Sequence, residues 1–444
     1  MRRRQRRVLA LLSAVALSTM LAAPSSALAA DDLASGLWWF ERGKVQEAHD
    51  AGFDGSGVTV AVIDSQINPD VTGLRGADLQ VREDTYCHDA AGAPIPAVST
   101  DYVAAEHGTS VVSMILGTGE APAGGQPIQG AAPGATVLYS VAGIADPAAG
   151  EVSCLLANGE EYEDNARGVA QEAMSLAISD AIDQGADIIS ISSGGYSFIV
   201  DAIAKAVAAG VPVVASLSNE NGIGDQPAGL NGVIGVQAFG EDGVILSNQG
   251  RPNVSKQVKA AGPGLGVLVQ GTENSWDEQK LSGGTSYATS IVAGFLAVVK
   301  QKYPDATGNQ LIQSLIHNTG TKGEHEPEWN DSTGYGAASL TGMLAVDPTK
   351  YPDVNPLFDP DDPIGLPTAE DVAREAAALG AGASPEPTET TATPDAAPDA
   401  AAAMMPWAIV GIVVLLLIVV GGIVLAVVLT RSSKRRAETT RGES

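Results

Sequence analysis

Short apolar runs alternate with longer amphipathic segments through the middle of the chain. Five apolar runs predict strands, at Val58–Ile63, Ala135–Val141, Asp187–Ser192, Gly210–Ser216 and Val233–Gln237. Helical periodicity lies between and after them, at Gly108–Leu116, Arg167–Gln184, Phe198–Ala209, Ser286–Lys302 and Asn309–Asn318. Continuously apolar strands that alternate with helices indicate a mostly parallel sheet with helices on both faces. The predicted fold class is therefore a doubly wound α/β domain.

Polar residues follow several of these strands at the point where each strand ends. Asp64, the segment Ser192–Gly195 and Asn219 all lie directly after predicted strands. Ligands of open α/β sheets bind at the carboxyl ends of the strands, where such residues meet. We therefore expect the chemistry of this chain at that edge of the sheet.

Four segments carry the groups that acyl transfer requires, namely a nucleophile, a base, an orienting carboxylate and oxyanion donors. Asp64 ends a buried strand, His107 opens a predicted helix, Asn219 follows a strand, and Ser286 begins a helix. Each of these residues alone is more often structural than catalytic, with Asp64, Asn219 and Ser286 explained as cap or turn residues. Their joint presence, in this order, favours a catalytic site.

The strings around these residues resemble the subtilisin family over roughly residues 36–346. The strings are VAVIDS, HGTS, GAAPGA, ASLSNEN and GGTSYAT, in the order Asp, His, Ser. The resemblance implies a subtilisin-like fold and a serine endopeptidase that cleaves proteins or peptides without a cofactor. A structural calcium ion is not predicted, although an acidic surface leaves that alternative open.

The resemblance also implies a role for each matching position. Asp64, His107 and Ser286 would form the catalytic triad, and Asn219 with the Ser286 backbone N–H would form the oxyanion hole. A substrate-binding edge strand would comprise Ser190, Ile191, Ser192, Ser193, Gly194 and Gly195. The chain departs from the family pattern at Gln66, Ser193, Ser290 and Ile291, so substrate preference does not carry over.

Both ends of the chain predict targeting segments. Arg2–Arg7, the apolar Val8–Ala23 and the small residues before Asp31 are typical of an export signal, by either the general or the twin-arginine route. Met404–Leu429 has 26 residues without a charge, enough to span about 30 Å of hydrocarbon. The basic residues that follow indicate a cytoplasmic C-terminus, and thus an extracellular catalytic region on the cell membrane.

The charge of the chain bears on its possible partners, and its cysteine content bears on disulfide formation. Without the ten basic residues near the two ends, 15 basic residues face 50 acidic ones, a net charge near −35 that argues against nucleic acid as a partner. Cys87 and Cys154 are the two cysteines. Export permits a disulfide between them, and two free thiols are the alternative.

The predicted organisation follows from these segments. It comprises a signal peptide (1–30), a short N-terminal extension (31–57), a subtilisin-like peptidase domain (58–350), a Pro/Ala/acidic-rich linker (351–403), a transmembrane helix (404–430) and a basic cytoplasmic tail (431–444). This order resembles the mycosins, membrane-anchored proteases of type VII secretion systems, and so implies secreted substrates and secretion-complex membrane proteins as partners. The alternatives are a scaffold for such a complex with dispensable proteolysis, and a non-proteolytic esterase or surface domain.

Overall fold

The computed structural model describes residues 32–83, 85–87, 93–143, 155–156, 171–194, 199–220, 226–321 and 323–382. The predicted signal peptide, the predicted transmembrane helix and the basic tail lie outside these residues, as do Gly195 and Cys154, and the predictions made for them stay predictions. Within the described part of the chain, no helix is long and apolar enough to cross a membrane.

The order of elements alternates strands and helices, as the apolar pattern predicts. The strands are β1 (Thr59–Asp64), β2 (Leu79–Val81), β3 (Thr136–Val141), β4 (Leu155–Leu156), β5 (Gln171–Glu172), β6 (Ile188–Ile191), β7 (Val213–Ser216), β8 (Ile234–Phe239), β9 (Ser247–Asn248), β10 (Arg251–Pro252), β11 (Ala260–Pro263), β12 (Leu265–Gln270) and β13 (Gln279–Gly283). The helices are α1 (Trp38–Arg42), α2 (Val45–Asp50), α3 (Tyr102–Leu116), α4 (Ala173–Asp183), α5 (Val200–Ala209), α6 (Thr285–Lys302), α7 (Gly308–His317), α8 (Leu340–Ala345) and α9 (Ala369–Gly382).

Seven strands form one parallel sheet in the order β11-β8-β7-β6-β1-β3-β2. The chain moves one way across the sheet from β1 to β3 and the opposite way from β3 to β6, β7 and β8. Right-handed crossovers then place α3 on one face and α4 and α5 on the other. The doubly wound α/β prediction is confirmed, and it places the carboxyl ends of β1, β6 and β7 side by side.

Helix α6 fills the core on the face that α3 shares. It packs against β6, β7, β8 and β11, and every residue from Thr285 to Val299 is buried. A helix that is apolar on nearly all sides is stable only when it is surrounded by other elements. The first residues of α6 therefore have a fixed position at the carboxyl edge of the sheet.

Helix α3 begins six residues earlier than predicted. Asp101 caps it, with the Asp101 side chain accepting a hydrogen bond from the Ala104 N–H, so that the helix starts at Tyr102. The expectation that His107 opens a helix is therefore wrong, and His107 lies in the second turn. The run from Tyr102 to Glu106 lacks a strong apolar period, and only its cap marks it.

The N-terminal extension is part of the folded domain. Trp38 and Trp39 are 7% and 2% exposed, and Trp38 Nε1 donates to the Leu265 carbonyl at 3.1 Å. Phe239 and Phe295 lie against this segment. Phe295 is nine residues along α6 from Ser286, about 13 Å away, so the extension packs along the flank of this helix.

The segment 351–382, predicted to belong to the linker, also packs on the domain. Asn231 and Gly232 donate backbone hydrogen bonds to the carbonyls of Leu366 and Leu357 at 2.7 and 3.1 Å. Helix α9 lies along α5, and Arg374 bonds Asp201 at 2.8 Å. The prediction that the linker begins at 351 is wrong, because these tertiary hydrogen bonds order a stretch whose Pro/Asp-rich composition is typical of spacers.

Replacing Trp39 tests whether the N-terminal extension supports the domain. We expect Trp39→Ala to lower the free energy of unfolding by about 3–5 kcal/mol, because it leaves a large cavity in packed surroundings. Ile364→Ala is the control, since Ile364 is 89% exposed and should change stability by less than about 0.5 kcal/mol. Equal thermal unfolding midpoints for the two variants would show that the extension is dispensable.

Candidate active site

Three predicted residues form a hydrogen-bonded chain at the carboxyl edge of the sheet. Asp64 is the last residue of β1, His107 lies on α3, and Ser286 is the second residue of α6. His107 Nδ1 is 2.7 Å from Asp64 Oδ1, and His107 Nε2 is 3.0 Å from Ser286 Oγ. The structure thus brings carboxylate, imidazole and hydroxyl together in the geometry of nucleophilic catalysis.

Asp64 is a buried charge that its neighbours stabilise. Besides His107, its Oδ1 accepts from the Ser65 N–H at 2.7 Å and lies 3.1 Å from Ser65 Oγ. Burial alone would raise the pKa of Asp64, but the charge of His107 and these hydrogen bonds outweigh it and hold the pKa below its ordinary value. Asp64 therefore stays ionised and fixes the tautomer of His107.

Tyr139 supports the turn after Asp64. The sequence alone did not single out this tyrosine. Tyr139 on β3 is fully buried, and its hydroxyl donates to the Ser65 carbonyl at 2.6 Å. A Cβ on Gly108 would lie 2.0 Å from that hydroxyl, so the residue after His107 has to be glycine. The single sequence signal for this contact is a tyrosine within an otherwise apolar strand.

The electrostatic surroundings of His107 favour its charged form. Burial alone would lower the pKa of His107, but the charge of Asp64, the hydrogen bond to it and the charge of Glu106 raise that pKa above its ordinary value. A base with a raised pKa accepts a proton from the nucleophile more readily. The same charges stabilise the imidazolium that forms when Ser286 attacks.

The Ser286 hydroxyl has two acceptors within reach and one hydrogen to donate. The Ser192 carbonyl lies 2.9 Å from Ser286 Oγ, close to the 3.0 Å separation of Oγ from His107 Nε2. Ser192 Oγ in turn donates to the Ser286 carbonyl at 3.0 Å. The Ser192 side chain therefore fixes the start of α6, and its carbonyl can accept the hydrogen of the Ser286 hydroxyl when no substrate is attacked. Attack requires that this hydrogen be donated to His107 instead.

Asn219 contacts Thr285, the residue that precedes Ser286. Its Oδ1 accepts from the Thr285 N–H at 3.0 Å and lies 3.1 Å from Thr285 Oγ1. With the oxygen of the carboxamide held in this way, Nδ2 is the group of Asn219 that would serve as the predicted oxyanion donor. The N–H of Ser286 belongs to the first turn of α6, whose N–H groups lack intrahelical partners and carry the positive end of the helix dipole.

The predicted substrate-binding strand is only partly placed as expected. Ser190 and Ile191 belong to β6, which pairs with β1 on one side and β7 on the other. They are therefore not part of an edge strand, and the prediction for them is wrong because a central parallel strand has no free backbone groups. Ser192, Ser193 and Gly194 follow the end of β6, and Ser192 lies beside Ser286.

Two departures from the family pattern have structural partners in the site. Gln66 is buried, and its Nε2 donates to the Pro96 carbonyl at 2.8 Å, which ties the turn after Asp64 to the loop before α3. Ser290 is buried one turn beyond Ser286 and donates to the Ser286 carbonyl at 3.2 Å. Neither replacement removes a reacting atom. Cys87 is fully buried, and its predicted pairing stays a prediction because Cys154 is outside the described residues.

A carboxylate, an imidazole and a hydroxyl bonded in sequence at the edge of a parallel sheet are the arrangement of a serine hydrolase. The profile of the subtilase family, peptidase S8, matches residues 55–336, and the chain belongs to this family. The thermostable alkaline protease of Halalkalibacterium halodurans is 31% identical over 290 residues, which cover 64% of this chain and 68% of that protease. Family and relatives identify a serine endopeptidase.

Solved structures agree on the fold. The crystal structure of fervidolysin from Fervidobacterium pennivorans, a keratinolytic enzyme related to subtilisin, matches with a TM-score of 0.50 and 25% identity, over 68% of this chain and 44% of fervidolysin. The crystal structure of MycP1 from the ESX-1 type VII secretion system matches with a TM-score of 0.51 and 22% identity, over 72% of this chain and 88% of MycP1. At that identity the likeness to MycP1 concerns the fold.

The pH dependence of activity tests the coupling between Asp64 and His107. Because only neutral His107 accepts the proton of Ser286, kcat/KM should fall as the pH drops through the raised pKa of His107, with a midpoint above about 6.5. Asp64→Asn should shift that midpoint downward and lower kcat by about 10⁴-fold, the loss found in other triad enzymes. Asp50→Asn, at an exposed position, should leave the profile unchanged. An unshifted acid limb in Asp64→Asn would contradict the assignment.

Proposed function

We propose that this chain hydrolyses peptide bonds of exported proteins at the outer face of the cell membrane, with Ser286 as nucleophile. The observation that carries the proposal is the hydrogen-bonded chain from Asp64 through His107 to Ser286. The membership of the subtilase family supports the reaction type. The proposed chemistry needs no cofactor, because every group required for acyl transfer is a side chain or backbone N–H of this chain.

The proposed reaction proceeds in two halves. Ser286 Oγ attacks the scissile carbonyl while His107 takes its proton, and Asn219 Nδ2 with the Ser286 N–H stabilises the oxyanion. His107 then gives the proton to the leaving amine, which departs and leaves an acyl group on Ser286. Water, deprotonated by His107, attacks the ester, and the hydroxyl of Ser286 is regenerated.

The proposed location rests on the sequence outside the described residues. An export signal at 1–30, an uncharged segment at 404–430 and a basic tail support a single-pass protein with an extracellular domain. The same order of segments, with the fold likeness to MycP1, supports a mycosin-like enzyme that acts beside a secretion complex and its membrane proteins. A disulfide between Cys87 and Cys154 would fit that oxidising location.

Labelling with a serine-reactive fluorophosphonate tests the nucleophile. The full-length chain, purified in detergent, should be labelled, and Ser286→Ala should lose both the label and the cleavage of denatured protein substrates. Ser290→Ala is the matched control because Ser290 is buried on the same helix, one turn further on. A folded wild-type protein that takes no label, or a Ser286→Ala variant that still does, would disprove the assignment.

Fractionation of cells that produce the full-length chain tests the anchor. We expect the chain in the membrane fraction after a carbonate wash. A tag at the N-terminus should be removed together with the predicted signal peptide. A tag at the C-terminus should be protected from protease that is added outside the cells. A variant that ends at Ser384 should leave the membrane fraction while it keeps the fluorophosphonate label. If the full-length chain and the shortened variant fractionate alike, the proposed anchor is wrong.

A further inference from the structure

A polar cluster that the mechanism does not use adjoins the triad. Glu106 directly precedes His107, and its Oε1 lies 3.2 Å from Nζ of Lys280 on β13. Lys280 Nζ also donates to the Tyr102 hydroxyl at 2.6 Å, and the Tyr102 ring packs on Trp276 with centroids 5.5 Å apart. The side chains of Glu106 and Lys280 are 26% and 39% exposed. The carboxylate is thus held in place and remains open to a bound substrate.

The charge of Glu106 affects His107, which is hydrogen-bonded to the nucleophile, and Tyr287, which follows it in the sequence. It contributes to raising the pKa of His107 and that of Tyr287, the residue after Ser286. Tyr287 is also tied to β13, because its hydroxyl lies 3.0 Å from Ser282 Oγ. β13 continues through Gly284 into Ser286. The cluster therefore borders the reacting centre on the side of His107 and β13.

The side of the reacting centre that this cluster borders corresponds to the leaving half of the substrate, the residues after the scissile bond. Ser192–Gly194, after β6, belong to the segment predicted to bind substrate, and Ser192 lies directly against Ser286. His107 hands its proton to the leaving amine, so the residues after the scissile bond lie toward His107. The side chains that adjoin His107 away from Ser192 then face the leaving half of the substrate.

The elements around this border are strongly acidic. Residues 100–107 and the β12–β13 hairpin, 265–283, are described throughout, and together they carry Asp101, Glu106, Glu273, Asp277 and Glu278 against the single lysine Lys280. One lysine cannot neutralise five carboxylates. A positively charged substrate group is therefore attracted here. Of these five carboxylates, Glu106 is the one that directly precedes His107 in the sequence.

We propose that Glu106 is a specificity-determining residue that selects a basic side chain at one of the first two positions after the scissile bond. Lys280 and Tyr102 orient its carboxylate, and the surrounding acidic residues add long-range attraction. The inference deepens the proposed function and rests on it. It names a charge preference for the leaving half of the substrate, where the family resemblance gives none.

Matched quenched-fluorescence peptides test the proposal with the full-length protein. The peptides differ only at the first or second position after the scissile bond, which carries Arg, Gln or Glu. For wild type we expect kcat/KM in the order Arg, Gln, Glu, with an Arg-to-Gln ratio of about five, as an exposed ion pair can supply. Glu106→Gln should bring that ratio near one, and the ratio between peptides cancels any change in the basicity of His107.

Three further variants separate charge from structure. Glu106→Asp keeps the charge and should retain a preference for Arg, while Lys280→Met removes the competing ammonium and should increase it. Asp50→Asn, at an exposed position outside these acidic elements, should leave the ratio as in wild type. Cleavage of all peptides with an unchanged ratio in Glu106→Gln would overturn the inference alone. Absence of peptide cleavage and of fluorophosphonate labelling in wild type would overturn the proposed function, and this inference with it.

Discussion

The hydrogen bond between Asp64 and His107 joins two elements that are distant in the sequence, the end of strand β1 and the second turn of helix α3. It also compensates a charge that is 1% exposed. Removing one partner of a buried pair leaves the other uncompensated, at a cost of about 3–5 kcal/mol. The packing of α3 on the sheet and the basicity of His107 therefore depend on one contact. Stability and catalysis cannot be tuned independently here.

The contacts around that hydrogen bond set its geometry. Tyr139 supports the turn after Asp64 from β3, and Gly108 allows α3 to come close enough for His107 to reach the carboxylate. On the opposite side, Thr285 and Ser192 hold the first turn of α6, which places Ser286 and Asn219. The reacting groups thus come from separate elements, but each is fixed by a neighbour in the core. This arrangement supplies the preorganisation that oxyanion stabilisation requires.

The parallel sheet and the reacting residues were predictable because each leaves a local mark. The five predicted strands occur within three residues of their predicted ends, since continuous apolar runs are typical of buried parallel strands. Asp64, His107 and Ser286 lie in short characteristic strings. The early start of α3 and the packing of residues 351–382 were not predictable from periodicity. A single capping aspartate determines the first, and backbone hydrogen bonds to Asn231 and Gly232 determine the second.

The residues that support the reacting groups could not be predicted from the sequence, because their partners are distant in the chain. Tyr139, Thr285 and Glu106 act through partners that the fold alone brings near, such as Ser65 at a separation of 74 residues for Tyr139. Their residue types are common and their immediate neighbours give no signal. The misplaced substrate strand has the same origin. Whether β6 lies at an edge is a property of the strand order, which the pattern of a single strand does not contain.

The buried tryptophans of the N-terminal extension bear on how such an enzyme can be switched on. A detachable inhibitory segment must dissociate and leave a folded enzyme, and its contacts are therefore those of a separable interface. Trp38 and Trp39 instead share the hydrophobic core with Phe295 of α6. Excising this segment would open the core beside the helix that carries Ser286. Any proteolytic maturation that keeps the domain intact must therefore cut on the N-terminal side of Trp38.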